Sequence, residues 1–218
     1  MTSNIRHHGR QGPRCRHARL ARVSLGLLPK KAILVVGEGR ETEPNYFRGL
    51  YGEQAVRDRF HVVIKRGIGF RASAVVELAI GQKAKGDYDQ IYCVIDVEDV
   101  ARRDDLSKAG TLARKHNITL ILSNPCFEVW LLSHFERTSR SFVDAAAAAE
   151  AVSRHWQTRF GNAYSKGDEK IYRRLKNLTD HAIGNARNVR EVDHGNRPVV
   201  DCNSSTDVYK LVCLLLDR

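Results

Sequence analysis

Glu38, Asp96, Glu98 and Asp99 are the residues whose types and spacing point to chemistry. Glu38 stands between Gly37 and Gly39, directly after the apolar run Ile33-Leu34-Val35-Val36. Asp96, Glu98 and Asp99 follow the run Gln90–Ile95, QIYCVI, in the tetrad Asp96-Val97-Glu98-Asp99. Acids that close buried-type strands lie at the edge where open α/β sheets bind ligands and metals. Clustered carboxylates repel, and they destabilise a fold unless protonated or neutralised by a cation. Oxygen-only ligands suit Mg²⁺ or Mn²⁺ and suit Zn²⁺ poorly. A cation held there can position a phosphodiester and stabilise the charge that develops when it is cut. The plainer reading of Glu38 alone is an acid favoured by the dipole of the helix that follows.

The elements that must position these acids alternate. Strands are expected at Ile33–Val36, Phe60–Lys65, Gln90–Ile95 and Ile118–Leu122. Helices are expected at Glu43 to Arg57, Ser73 to Lys85 and Asp104 to Lys115. Pro44 fits a first helical turn, where a missing N–H has no partner to lose. Short strands alternating with helices predict a mostly parallel α/β sheet flanked by helices. After Leu122, Asn124 is a plausible N-cap and Pro125 a first helical residue. The rest reads as a helical C-terminal part: Phe142 to Phe160, Asp168 to Asn188 and Ser205 to Leu216. Asn185 to Asn203 has no firm period.

The chain has 218 residues, 42% hydrophobic and 28% charged, which is ordinary globular material. Of its 36 Lys and Arg, eight fall in residues 1–31, which hold no acid. The remainder, with 28 basic and 25 acidic residues, is nearly balanced. The expected organisation is therefore a basic, flexible arm over 1–31 and a single α/β domain over 32–218, with a helical extension from about residue 140. Such an arm is either a solvated tail or a phosphate-contacting segment that gains affinity by releasing counterions. Five cysteines, with no CxxC pair, argue against a disulfide framework or zinc site and for a reducing cytoplasm. No apolar run is long enough to span a membrane, and no secretory signal is evident.

Several motifs are excluded. Gly37-x-Gly39 lacks the third glycine of a dinucleotide fingerprint. No GxxxxGK[ST] or GxSxG occurs. Glu43 reads equally as a helix-favouring acid or as support for the site. Glu128, on an otherwise apolar helix, wants a Lys, Arg or backbone partner. Phe127, Trp130 and Leu131 read as core, with His134 on the same face as a satisfied core histidine.

Three ordered motifs, GEGRETEPNYFRGL, VIDVED and SNPCFEVWLLSHF, resemble the RloB-like family of bacterial proteins associated with phage defence. A Glu after the first strand and an acid-x-acid pair after a later one also resemble the TOPRIM fold of topoisomerases, primases and some nucleases. The likeness is closest from Lys30 to Phe135 and continues weakly to the end. It implies a TOPRIM-like core and a Mg²⁺- or Mn²⁺-dependent nuclease acting on RNA, with transfer RNA the first substrate class to name. Glu38 and Asp96 match the family's acids, with Glu98 or Asp99 completing the metal site. Here the pair reads Asp96-Val97-Glu98 where the pattern has Asp-x-Asp. On this reading Lys166 contacts phosphate or stabilises the transition state. Arg40, Lys170 and Arg173 are candidate substrate-binding cations, and Tyr164 and Tyr172 candidates to stack on bases. The alternatives are a DNA nuclease with the same site and a silent TOPRIM-like module that binds nucleic acid or a nucleotide signal. A regulatory partner or a homo-oligomer fits a nuclease that must be restrained.

Overall fold

A computed structural model describes residues 30–67, 71–98 and 102–218 of the chain. The expected basic arm lies outside them up to residue 29, and Lys31 begins the first strand. The four expected strands are present as β1 (Lys31–Gly37), β2 (Phe60–Arg66), β3 (Gln90–Asp96) and β4 (Thr119–Asn124). A fifth, β5 (Ser205–Thr206), completes a sheet of order β2-β1-β3-β4-β5. The first four are parallel and β5 is antiparallel. The helix expected from Ser205 instead begins at Val208, because a two-residue strand is too short to carry a period of its own. The strand forms where Ser123 Oγ and Thr206 Oγ1 meet at 2.7 Å.

β1 is buried on both faces, as a central parallel strand must be. Ile33 and Val35 face a core built with helices α1 (Thr42–Tyr51), α5 (Glu128–Ser133), α6 (Ala145–Phe160), α7 (Ile171–Leu175), α8 (Thr179–Asn188) and α9 (Val208–Leu216). Leu34 and Val36 face the opposite core, built with α3 (Ala72–Lys83) and α4 (Arg103–His116). The expected helix over 43–57 breaks at Gly52, and α2 (Gln54–Arg59) follows it. The one expected over 168–188 is interrupted by a 3₁₀ turn at Lys176–Leu178. Asn124 is not an N-cap. It ends β4, and its Nδ2 donates to the carbonyls of Val199 and Val200 at 2.9 and 3.3 Å. Asp144 does cap α6, accepting from the Ala147 N–H at 2.7 Å.

The strand order creates a switch point. The chain leaves β1 for β2 by way of α1 and α2. It then crosses by α3 to the other side of β1, where β3 pairs with it. A crevice opens at the carboxyl ends of neighbouring strands where such paths diverge, and ligands bind there in open α/β sheets. Glu38 and Asp96 stand at that edge.

His134 is a core residue, as expected. Its Nδ1 lies 3.0 Å from the Trp130 carbonyl, and Tyr46 Oη lies 3.4 Å from Nε2. Burial pushes its pKa down to about 4, and the nearby His181 acts in the same direction. The unfolded chain therefore holds the extra proton between about pH 6.5 and 4, and the stabilisation present at neutral pH is lost as pH falls through that window. The shift corresponds to about 3 kcal/mol. Chemical unfolding of wild type and His134→Gln at steps from pH 7 to 4 should show a shallower loss in the variant. Identical slopes would remove His134 as the cause.

Candidate active site

Parallel register puts the two key acids side by side. Gly37 pairs with Val94, and the Glu38 N–H continues the ladder to the Val94 carbonyl at 2.9 Å. Glu38 Oε2 then accepts the Asp96 N–H at 3.1 Å. Beyond Asp96 the chain is tied to the end of β4 and the residue after it. The Val97 N–H donates to Ser123 O and the Glu98 N–H to Pro125 O, both at 2.8 Å. Glu98 sits at φ 50, a left-handed conformation unusual for a residue with a Cβ.

These acids line a cleft of about 460 Å³ that also takes in Arg40, Glu41, Thr42, Glu43, Gly67, Phe127, Glu128 and Lys166. Glu43, in the first turn of α1, is 4% exposed and accepts the Gly39 N–H at 2.9 Å. The Glu43 carboxylate takes the space of the missing side chain at position 39, where a Cβ would lie 2.2 Å from Oε2. Gly67 is needed for a similar reason, since a Cβ there would meet the Glu38 carbonyl at 2.5 Å. Gly37 is less constrained, with 3.3 Å to Glu43 Cβ.

Glu128 opens α5 and is 2% exposed. Its Oε1 accepts the Tyr164 hydroxyl at 3.2 Å and pairs with Lys166 Nζ at 3.0 Å. The lysine partner expected for a buried acid is thus present, and the pair faces the cleft. Partial burial opposes the charge on Lys166, but Glu128 raises its pKa overall, so Lys166 is a cation and not a base. Arg102, which no sequence motif singles out, bridges two acids. Its Nη1 lies 3.0 Å from Glu38 Oε1 and 2.8 Å from Glu98 Oε2. No local pattern marks it, because its two partners come together only when β1 and β3 pair.

The electrostatic strain centres on Asp96. Its Oδ1 is buried without a hydrogen-bond partner. Desolvation raises its pKa well above the carboxylate range, and Glu43, Glu128, Glu38 and Glu98 push the same way, in that order. Desolvation also raises Glu38, against the pull of the Asp96 N–H and Arg102. Glu43 is raised by burial, with Glu128 and Glu38 adding to it. An unpartnered buried oxygen among hard carboxylate donors fits a Mg²⁺-type cation. Among the described residues, however, no three His, Cys, Asp or Glu side chains stand close enough to enclose a metal ion. Holding a cation there would require side chains to move.

The expected residues do not all converge. Glu38, Asp96, Glu98, Arg40 and Lys166 line the cleft. Asp99 lies outside the described residues. Lys170 and Arg173 are exposed but are not part of the lining. Tyr172 does not offer a stacking face, because it is 4% exposed with its ring edge-on to Tyr46. Tyr164 is committed to Glu128 and packs edge-on against Trp156. Cys126, buried beside Glu128, has its thiol pKa raised by desolvation and by the acids, so it is no nucleophile.

A family model described as RloB-like protein matches residues 33–215. No curated protein and no solved structure matches the chain. Among the described residues no helix is long and apolar enough to cross a membrane.

Because the folded state binds the Asp96 proton more tightly than the unfolded chain does, stability falls as pH rises through its raised pKa. Asp96→Asn should therefore stabilise the metal-free protein by roughly 1–2 kcal/mol. The gain should be larger at pH 8 than at pH 5. Denaturant unfolding in EDTA measures both, and a variant no more stable than wild type at either pH would contradict the strain described.

Proposed function

The chain belongs to the RloB-like family, and from that membership and the acidic cleft we propose a divalent-metal-dependent phosphodiesterase that cleaves RNA, transfer RNA first among its substrates. Phage defence is the setting that this family resemblance suggests. The observation that carries the reading is the buried, unpartnered Asp96 Oδ1, set beside Glu38 at adjacent strand ends. Glu38 and Asp96 would hold the cation, with Glu98 and Glu43 lining the same cleft and available to complete its shell. A bound Mg²⁺ or Mn²⁺ supplies charge to offset that developing on the cleaved phosphodiester.

The chain's own groups divide the remaining work. Glu128 holds the Lys166 ammonium at the cleft, where it is available to phosphate oxygens as a second positive charge. Arg40, exposed at the rim, is free to contact the backbone of a longer strand. Tyr164 donates to the same Glu128 oxygen that Lys166 meets and helps to fix it. The TOPRIM-like reading of the sheet is part of the same proposal.

One observation favours a second reading. Arg102 already neutralises Glu38 and Glu98 without a metal, as expected of a silent module that binds nucleic acid or a nucleotide signal. The two readings separate on cleavage of a total tRNA pool and matched single-stranded DNA, with Mg²⁺, Mn²⁺ or EDTA. Wild type should cut RNA only with metal. Glu38→Ala and Asp96→Ala should each lower the rate at least about a hundredfold. Lys166→Ala should lower the rate without abolishing Mn²⁺ binding. Cutting DNA alone would move the substrate to DNA. RNA binding with a steep salt dependence and no cutting would support the silent module. Cleavage that survives both acid substitutions would remove this site from the chemistry.

A further inference from the structure

Glu38 and Glu98 come from the ends of two different strands and face one another across a gap filled by Arg102. One nitrogen, Nη1, serves both carboxylates, at 3.0 and 2.8 Å. Arginine pairs with a single carboxylate through two parallel N–H bonds. A single donor shared by two carboxylates instead acts as a point charge, as a small cation would. The Glu38 carboxylate and the Glu98 backbone are fixed from behind. Glu38 is tied by its Oε2 to the Asp96 N–H at 3.1 Å. Glu98 is held at φ 50 by its own N–H on Pro125 O, a backbone state that persists in a non-glycine residue only when its surroundings enforce it. Arg102 is held less firmly. It precedes α4 and makes no side-chain cap there, and its side chain is 24% exposed against 9% for Glu38. Glu38 and the Glu98 backbone are therefore held in place, while the Glu98 side chain, 43% exposed, and the Arg102 guanidinium between the two carboxylates have a way out to solvent.

We propose that Arg102 is a place-holding cation, which neutralises Glu38 and Glu98 while the site is empty and is displaced when a divalent cation loads. This rests on the metal-site reading above. Arg102 then sets the cation concentration at which the cleft fills, because every loading event must break its bridge. The carboxylates lose one positive partner only as they gain another, so the cleft does not hold Glu38, Glu98 and Asp96 uncompensated together. The guanidinium and the metal are coupled with negative sign, and such couplings are typically 5–150-fold.

The experiment is Mn²⁺ binding to the full chain, read by the EPR signal of free Mn²⁺. It compares wild type, Arg102→Ala, Arg102→Lys and Glu38→Ala, with thermal unfolding of each in EDTA and in Mn²⁺. Arg102→Ala should bind Mn²⁺ about tenfold more tightly, and Arg102→Lys should stay near wild type because an ammonium can still bridge. In EDTA the Ala variant should melt below wild type, and Mn²⁺ should raise its melting temperature by more than it raises that of wild type. Arg102→Gln replaces it if the Ala variant does not fold, with the same expectations. Equal or weaker Mn²⁺ binding in the Ala or Gln variant, while wild type binds with an affinity that Glu38→Ala removes, would overturn the place-holder and leave the metal site standing. No Mn²⁺ binding by wild type or by the Arg102 variants would overturn the metal site and the place-holder together.

Discussion

Carboxylates repel more strongly as water is excluded between them, and the cleft at the carboxyl edge puts Asp96 within reach of Glu38, Glu43, Glu98 and Glu128. Much of the local design offsets that repulsion. Arg102 leans in from the start of α4 onto Glu38 and Glu98. Lys166 leans in from the segment before α7 onto Glu128. Backbone N–H groups of Gly39 and Asp96 solvate Glu43 and Glu38. Asp96 Oδ1 is left without a partner. A fold selected for stability alone would put an amide or an apolar residue there, and strain retained at one atom is characteristic of a functional site.

The sheet makes this crowding possible and bears its cost. β1 and β3 are neighbours because the chain goes outward to β2 and returns on the other face. Alternate residues of β1 anchor the two cores, Ile33 and Val35 on one side and Leu34 and Val36 on the other. The aromatic cluster of Tyr46, Phe127, Trp130 and His134 locks α1 and α5 together. Those are the two helices whose first turns carry Glu43 and Glu128. Core packing on one face therefore aims two further acids at the strand ends, and glycines at 39 and 67 make room for them. The buried acids are held by these helices and by backbone N–H groups, while Arg102 and Lys166 reach the site from its more exposed side.

The strand–helix alternation was legible in the chain because buried parallel strands are short, apolar and bounded by turn residues. All four parallel strands were found within two residues of their ends. β5 was missed because its two residues pair with β4 through tertiary contact, with no pattern of their own. Asn124 was misread for a related reason. Its amide is used across the chain by Val199 and Val200, and no local rule anticipates that. Tyr172 is a candidate to stack on bases in sequence, but in the fold it faces the core.

The amino-acid sequence by itself determined the family resemblance, the parallel sheet and the edge on which Glu38 and Asp96 stand, because strand period and acid placement are local properties. The tertiary structure alone decided the composition of the site. Glu43 had an equally good helical explanation, and Glu128 a need for some basic or backbone partner, until packing turned both into the cleft. Lys166 acquired its partner from a helix 38 residues earlier in the chain. Arg102 had no apparent role until strand pairing brought Glu38 beside Glu98. Charge balance depends on distances between residues far apart in the chain, and those distances exist only once the sheet and its two cores have formed.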